Sequence, residues 1–209
     1  MPRPPQSDEE KAQTRCRILD AARTLFDGDG IKAVSMRAIG RRVGLTASAL
    51  YAYFPSKVDL VRGLWSDAKD DLTRRLQDIS LAHADPLEAI RALGAAYAAF
   101  GIEDPLRFRV LFLWDDDSMN DDFYSREENQ SPYFVLRDRV AEAIGRGLIA
   151  GPDDADLVAQ AVWASVHGVV VLNNTCPDFP FRPPGLLVST VMDAALGGLR
   201  RGIVEGEGR

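Results

Sequence analysis

Cysteine and histidine are nearly missing from this 209-residue chain, which holds two of each. Cys16 and Cys176 fall in segments that read as different domains and form no Cys-x-x-Cys pair, so no disulfide framework is supported. They read as reduced, structural thiols of a cytoplasmic protein. His83 and His167 have no cysteine cluster around them, which leaves little to hold a transition metal. Long hydrophobic runs are also lacking. Residues 157–177 carry no formal charge, yet Gln160, Ser165, His167, Gly168, Asn173, Asn174 and Thr175 interrupt them. The stretch reads as a buried helix of a soluble protein and not as a membrane span. The opening Met1-Pro-Arg-Pro-Pro-Gln-Ser is too rich in proline and too poor in apolar residues for a signal peptide, and residues 1–8 are expected to form a disordered arm. No nucleophile–base pair, phosphate-cradling glycine loop or set carboxylate pair is recognisable, so the chain does not read as an enzyme and no cofactor is expected. The acidic run Asp115-Asp-Asp-Ser-Met-Asn-Asp-Asp122 lacks the glycine and final glutamate of a calcium loop and reads as a solvated loop.

What is present is an ordinary globular composition, 46% hydrophobic and 27% charged, with an uneven charge distribution. Residues 1–65 hold eleven Lys/Arg against seven Asp/Glu, whereas the remainder holds fourteen against twenty-four. A basic head on an acidic body suits a nucleic-acid reader joined to a domain with another task. Helix punctuation is frequent and hairpin signals are absent. Ser7-Asp-Glu-Glu10 is a capping box, followed by Ile18, Leu19, Ala22, Leu25 and Phe26 at helical spacing, with Gly28 and Gly30 as the stop. Asp85-Pro86 and Asp104-Pro105 pair a capping carboxylate with a first-position proline. Ser131-Pro132, Gly151-Pro152 and Pro183-Pro184 open further helices. The expectation is an all-α chain of about nine helices, with residues 9–65 forming a DNA-binding domain and 66–209 a second helical domain.

The stretch from Ser35 to Leu60 carries most of the information. Ser35 caps a short helix whose Met36, Ile39 and Val43 face inward; Gly44-Leu45 makes a tight turn; Thr46 caps a second short helix ending near Tyr53. Leu50 and Phe54 pack inward, and Ser56 with Asp59 caps the next helix. Two short helices about a glycine turn, with a third packed behind, form a helix-turn-helix, which lays its second helix in the major groove.

These residues resemble the TetR family of regulators. The family's Ile-Leu-x-Ala-Ala-x-x-Leu-Phe helix is matched by Ile18-Leu19-Asp20-Ala21-Ala22-Arg23-Thr24-Leu25-Phe26. Its Leu-Tyr-x-(His/Tyr)-Phe-x-x-Lys-x-x-Leu ending is matched by residues Leu50 to Leu60. The resemblance covers residues 10–65 and implies roles. Lys57 corresponds to the lysine that meets the DNA backbone, Tyr51 and Tyr53 to phosphate-contacting hydroxyls, and Arg37 to a side chain that reaches a base edge. Thr46 stands at the start of the recognition helix, ready to donate to a phosphate. Ala47, Ser48, Ala49 and Ala52 occupy positions of further base readers, where methyl groups meet thymine methyls. Tyr53 also has a core reading, and Arg41 and Arg42 a reading as a solvated face.

Past residue 65 the resemblance implies a diverged domain that binds a small molecule and forms a homodimer through its last two long helices, about 152–174 and 184–202. Both are low in charge and rich in Ala, Val, Leu and Gly. Trp163-Ala-Ser-Val-His167-Gly168 resembles an element of one TetR subgroup. Trp163 and His167 share a helix face, and with Phe100, Phe108 and Phe112 they outline either an apolar effector pocket with one titratable group or simply a core. The partners implied are a palindromic double-stranded operator, a partly apolar effector and a second copy of the chain, with no membrane. Repressor and activator look alike at this level, and a protein-interaction module with the same head is the remaining alternative.

Overall fold

A computed structural model describes residues 7–30, 34–113, 126–149 and 153–200. Arg3 and the rest of the arm to residue 6, the acidic run 115–122 and the Gly151-Pro152 helix start lie outside the described residues. Among the described residues there are nine α-helices, one 3-10 turn (Glu127–Asn129) and no strand. The helices are α1 (Asp8–Asp29), α2 (Met36–Val43), α3 (Ala47–Tyr53), α4 (Lys57–Ala82), α5 (Pro86–Glu103), α6 (Pro105–Phe112), α7 (Ser131–Gly145), α8 (Ala155–Thr175) and α9 (Pro184–Arg200).

The caps are where the sequence puts them, because each supplies an acceptor to amide groups that the first helical turn leaves unpaired. Ser7 and Glu10 close their box reciprocally, so Ser7 and Asp8 belong to the start of α1. Gly28 lies inside α1, and Gly30 alone ends it. Asp85 Oδ1 accepts from the amides of Leu87 and Glu88, and Asp104 Oδ1 from that of Arg107. Asp154 caps α8, which begins at Ala155, three residues later than the expected start near Pro152.

The chain divides into two compact units. Described residues 7–68 and 109–113 form the first, and 69–108, 126–149 and 153–200 the second. The first division falls at Ala68, and the end of α6 groups with the N-terminal unit. Helices α4 and α6 therefore each contribute to both.

In the N-terminal unit, Ile18, Ala22 and Phe26 of α1 are buried, as are Ile39, Leu50, Phe54, Leu60 and Leu64. Burial of a large apolar side chain there contributes about 1.5–3 kcal/mol. In the C-terminal unit, α5 is the central element and packs against α7, α8 and α9. Helix α8 is long and apolar enough to cross a membrane by length and composition. Here one face of it, Val158, Ala159, Val162, Val166 and Val170, is buried in the bundle.

The approach of α8 to α5 depends on Gly101. A β-carbon there would lie 2.5 Å from Val170 Cγ1 and 2.7 Å from Phe108 Cδ2. Asn174 Nδ2 donates to the Gly101 carbonyl at 2.9 Å across the same contact. Gly101→Ala is therefore expected to lower stability by about 1–3 kcal/mol through overpacking. Gly145→Ala, where an added methyl meets nothing within 4 Å, should be neutral or stabilising by up to about 1 kcal/mol. Urea midpoints of the two variants against the parent check this; equal midpoints would remove Gly101 from its role.

Candidate nucleic-acid interface and aromatic site

The turn between α2 and α3 is set by Gly44, whose φ of 73° lies in the left-handed region that side-chain-bearing residues resist. Ser35 Oγ accepts from Ala38 N at the start of α2, and Thr46 Oγ1 from Ala49 N at the start of α3. Leu45 N donates back to Gly40 O at 2.8 Å, which closes the turn. These local bonds fix which face of α3 is inward: Leu50 is fully buried, while Ser48, Tyr51 and Ala52 are exposed.

Arg37 and Thr46 are exposed, Ala47 and Ala49 half-buried. Tyr51 keeps 47% of its surface. Tyr53 and Lys57 are half-buried, and the Lys57 ammonium stands 6.0 Å from the centre of the Phe26 ring. Lys57 is the first residue of α4, whose start is held by Ser56: its Oγ accepts from Asp59 N and donates to the Asp59 carboxylate. Arg41 and Arg42 are exposed at the end of α2. Between Asp29 and Asp59 the sequence contains no acidic residue and five basic ones. This part of the unit is thus cationic and rich in hydroxyls, a surface that phosphates attract.

Two arginines of α1 do something the sequence does not announce. Arg17 donates to the Val43 carbonyl at the end of α2, and Arg15 to the Tyr53 carbonyl at the end of α3. Each neutralises the partly negative C-terminus of a short helix. The Arg15 guanidinium also lies 4.1 Å from the centre of the Phe54 ring. Their charge serves the shape of the motif. Their only sequence signal is a cation on α1 flanking its apolar stripe.

The C-terminal unit collects an aromatic cluster. The Phe108 and His167 rings lie 5.3 Å apart and those of Trp163 and His167 5.7 Å apart. Phe108 is fully buried, whereas Trp163 and His167 are half-buried. Phe100, though buried, is turned to α4, where the Arg75 guanidinium sits 5.8 Å from its ring centre. Phe112 is half-buried and belongs to the N-terminal unit. Phe108 and Trp163, two of the residues expected to line the pocket, both stand against a third, His167.

Two tyrosines join them. Tyr97 of α5 hydrogen-bonds His167 Nδ1 at 2.6 Å. Burial pushes its phenol well above the ordinary range. Tyr133 of α7 stands 6.1 Å from the Trp163 ring and donates to Asp156 Oδ1 at 2.8 Å. Its phenol is pushed up to about 12, by burial first and then by the Asp156 carboxylate. Asp156 is held below the usual carboxylate range by the bonds from Tyr133 and Arg137. Burial lowers the pKa of His167, so its ring is neutral at pH 7. Tyr97 lies in Gly94-Ala-Ala-Tyr-Ala-Ala-Phe100 and reads as one more core residue. The usable signal is that a phenol on a buried stripe needs a partner for its hydroxyl.

A separate groove of about 780 Å³ runs between α5 and α9. Ala92, Ala95, Ala99 and Ile102 form one wall and Val188 and Met192 the other, and no residue of the aromatic cluster lines it.

Comparison with known proteins agrees with this architecture. Residues 18–64 match the model of bacterial regulatory proteins of the TetR family, and residues 90–194, about half the chain, match the tetracyclin repressor-like C-terminal domain. The repressor KstR2 of Mycolicibacterium smegmatis is 28% identical over 173 residues, 78% of this chain and 82% of its own. The regulator TtgR of Pseudomonas putida is 28% identical over 174 residues, 79% of this chain and 82% of its own. The solved structure of the TetR family regulator PfmR from Thermus thermophilus superposes with a TM-score of 0.69 at 25% identity, covering 88% of this chain and 98% of that one. With a three-helix head read through a glycine turn and a matched helical body behind it, the chain belongs to the TetR family of DNA-binding transcriptional regulators.

Proposed function

We propose that this regulator is a cytoplasmic, dimeric repressor that leaves a palindromic operator when a partly apolar small molecule binds among Trp163, His167, Tyr97 and Phe108. The observation that carries the reading is the half-burial of Trp163 and His167 beside a fully buried Phe108. Two polar aromatic rings remain reachable at a place where a core would seal them. The Trp163…His167-Gly168 element, which resembles one subgroup of the family, lies at that place. KstR2, a relative over four-fifths of its length, is itself named a repressor.

On the DNA side, Lys57 and the hydroxyls of Thr46, Tyr51 and Tyr53 hold phosphates, and Arg37 reads a base edge. Ala47, Ser48, Ala49 and Ala52 leave readout to thymine methyls and to the shape of the duplex. Two half-sites need two heads. The α8–α9 hairpin offers the surface for this: Leu157, Leu172, Phe179 and Leu186 are all about half-exposed or more, a waste of apolar area in a monomer. Phe108 is the last residue of α6 in the C-terminal unit, and α6 continues into the N-terminal one. An effector against Phe108 thus touches a helix common to both units. It shifts the equilibrium only by its differential affinity for the DNA-competent and released states.

Lys57→Ala is expected to weaken operator and scrambled duplex alike and to lower the slope of log K against log salt by about one. Arg37→Ala should cost about 1–3 kcal/mol and change the ranking of operator variants; fluorescence anisotropy over a panel of duplexes reads both, and an unchanged ranking would refute base reading by Arg37. The double variant Leu172→Asp, Leu186→Asp should sediment as a folded monomer with little operator affinity. A dimer that survives it would move the interface away from the hairpin.

A further inference from the structure

The groove of about 780 Å³ between α5 and α9 stands clear of the aromatic cluster, and its lining lies wholly within the C-terminal unit. Helix α9 is drawn against α5 at Gly94, where an added β-carbon would lie 2.9 Å from Met192 Sδ. Beside that contact, Ala92, Ala95 and Ala99 recur at three- and four-residue spacing and turn one stripe of α5 to the groove. Alanine is too short to fill the space that Val188 and Met192 bound from α9. The bed is therefore apolar, and the charges stand at its rim. Glu88 and Glu103 lie at opposite ends of the stripe, about 22 Å apart along the helix. Among the described residues neither carboxylate has an ion-pair or hydrogen-bond partner. Arg91, the one guanidinium on the lining, is engaged with Asp193. His83, just ahead of α5, has its Nδ1 2.9 Å from the Ile79 carbonyl. A carbonyl only accepts, so Nδ1 carries the hydrogen and Nε2 of the neutral ring is an acceptor.

We propose that this groove is a second ligand site, and that its ligand is an elongated apolar amine: an alkyl chain ending in a protonated amino group. The proposal stands independently of the aromatic cluster. The chain lies along the alanine stripe, and the ammonium sits at the Glu88 end, where a carboxylate and the His83 ring nitrogen both accept. Arg91 and Asp193 cancel there and leave the charge of Glu88 to be met. With Glu88, Glu103 and Asp193 against Arg91, the rim is net negative whether His83 is neutral or charged. A carboxylate of the same shape is repelled, and an uncharged chain gains only the apolar bed. No Phe, Tyr or Trp lines the groove, so the rim carboxylates, and not a ring face, select the cation.

Decylamine, decanol and decanoate, kept below micelle-forming concentrations, test this on the full-length protein labelled with 13C at its methionine methyls, with Met192→Leu assigning the groove's resonance. Decylamine is expected to shift Met192 and to bind about two- to fivefold more tightly than decanol, the scale of one exposed ion pair, with decanoate weakest. The amine's advantage should fade as salt screens it. Glu88→Gln should erase most of that advantage and Glu103→Gln less. Ala95→Phe, at an exposed position, should keep the fold and the oligomeric state while filling the bed and abolishing the Met192 shift. Equal affinity for amine and alcohol, or a preference for decanoate, would overturn the ligand class. A Met192 resonance that no probe moves would overturn the site, as would an amine that moves the Trp163 indole resonance alone. Subunits that separate on Ala95→Phe would assign the groove to a second copy of the chain and overturn it equally.

Discussion

The C-terminal unit depends on one close approach, that of α8 to α5 at Gly101. With no β-carbon at that position, Val170 and Phe108 occupy the space where a methyl would stand. The two helices then run near enough for Tyr97 to reach His167 at 2.6 Å. A larger separation would leave a buried phenol and an imidazole without each other, and an unpartnered buried polar group costs about 1–3 kcal/mol. The same contact seats Phe108, the ring through which α6 meets the cluster. Packing and polar satisfaction in this unit thus follow from a single small residue.

The N-terminal unit obeys a different constraint, the short length of its helices. Helices of eight and seven residues are marginal alone and need their ends satisfied. Ser35 and Thr46 do this at the N-termini, and Arg17 and Arg15 at the C-termini. The basic charge of the head is therefore divided by task. Arg15 and Arg17 of α1 are spent on capping, while Arg37, Arg41 and Arg42 are exposed on α2.

The helix boundaries were legible because their signals are local. Ser7, Asp85 and Asp104 each cap a helix through bonds spanning two or three residues, and Gly44 turns the chain by its own backbone freedom. Ile18, Leu50 and Phe54 are buried as their periodicity requires. The aromatic site was legible only in part, since it assembles residues seventy positions apart. Trp163 and His167 share a helix face, but nothing in the sequence shows that Phe100 turns towards Arg75 or that Phe112 sits in the other unit. Tyr97 and Tyr133 went unseen because a tyrosine on an apolar stripe looks like core until its hydroxyl partner is known. The double role of α6 was equally hidden, because a helix's period does not reveal which unit it serves.

Sequence-specific binding of DNA by the whole chain is the property on which every other functional claim rests. Its most direct test is fluorescence anisotropy of the purified protein on the intergenic DNA upstream of its own gene, against a scrambled duplex at physiological salt. A preference of roughly a thousandfold or more for the intergenic duplex is the result predicted. Equal, weak and salt-sensitive affinity for the two duplexes would contradict it.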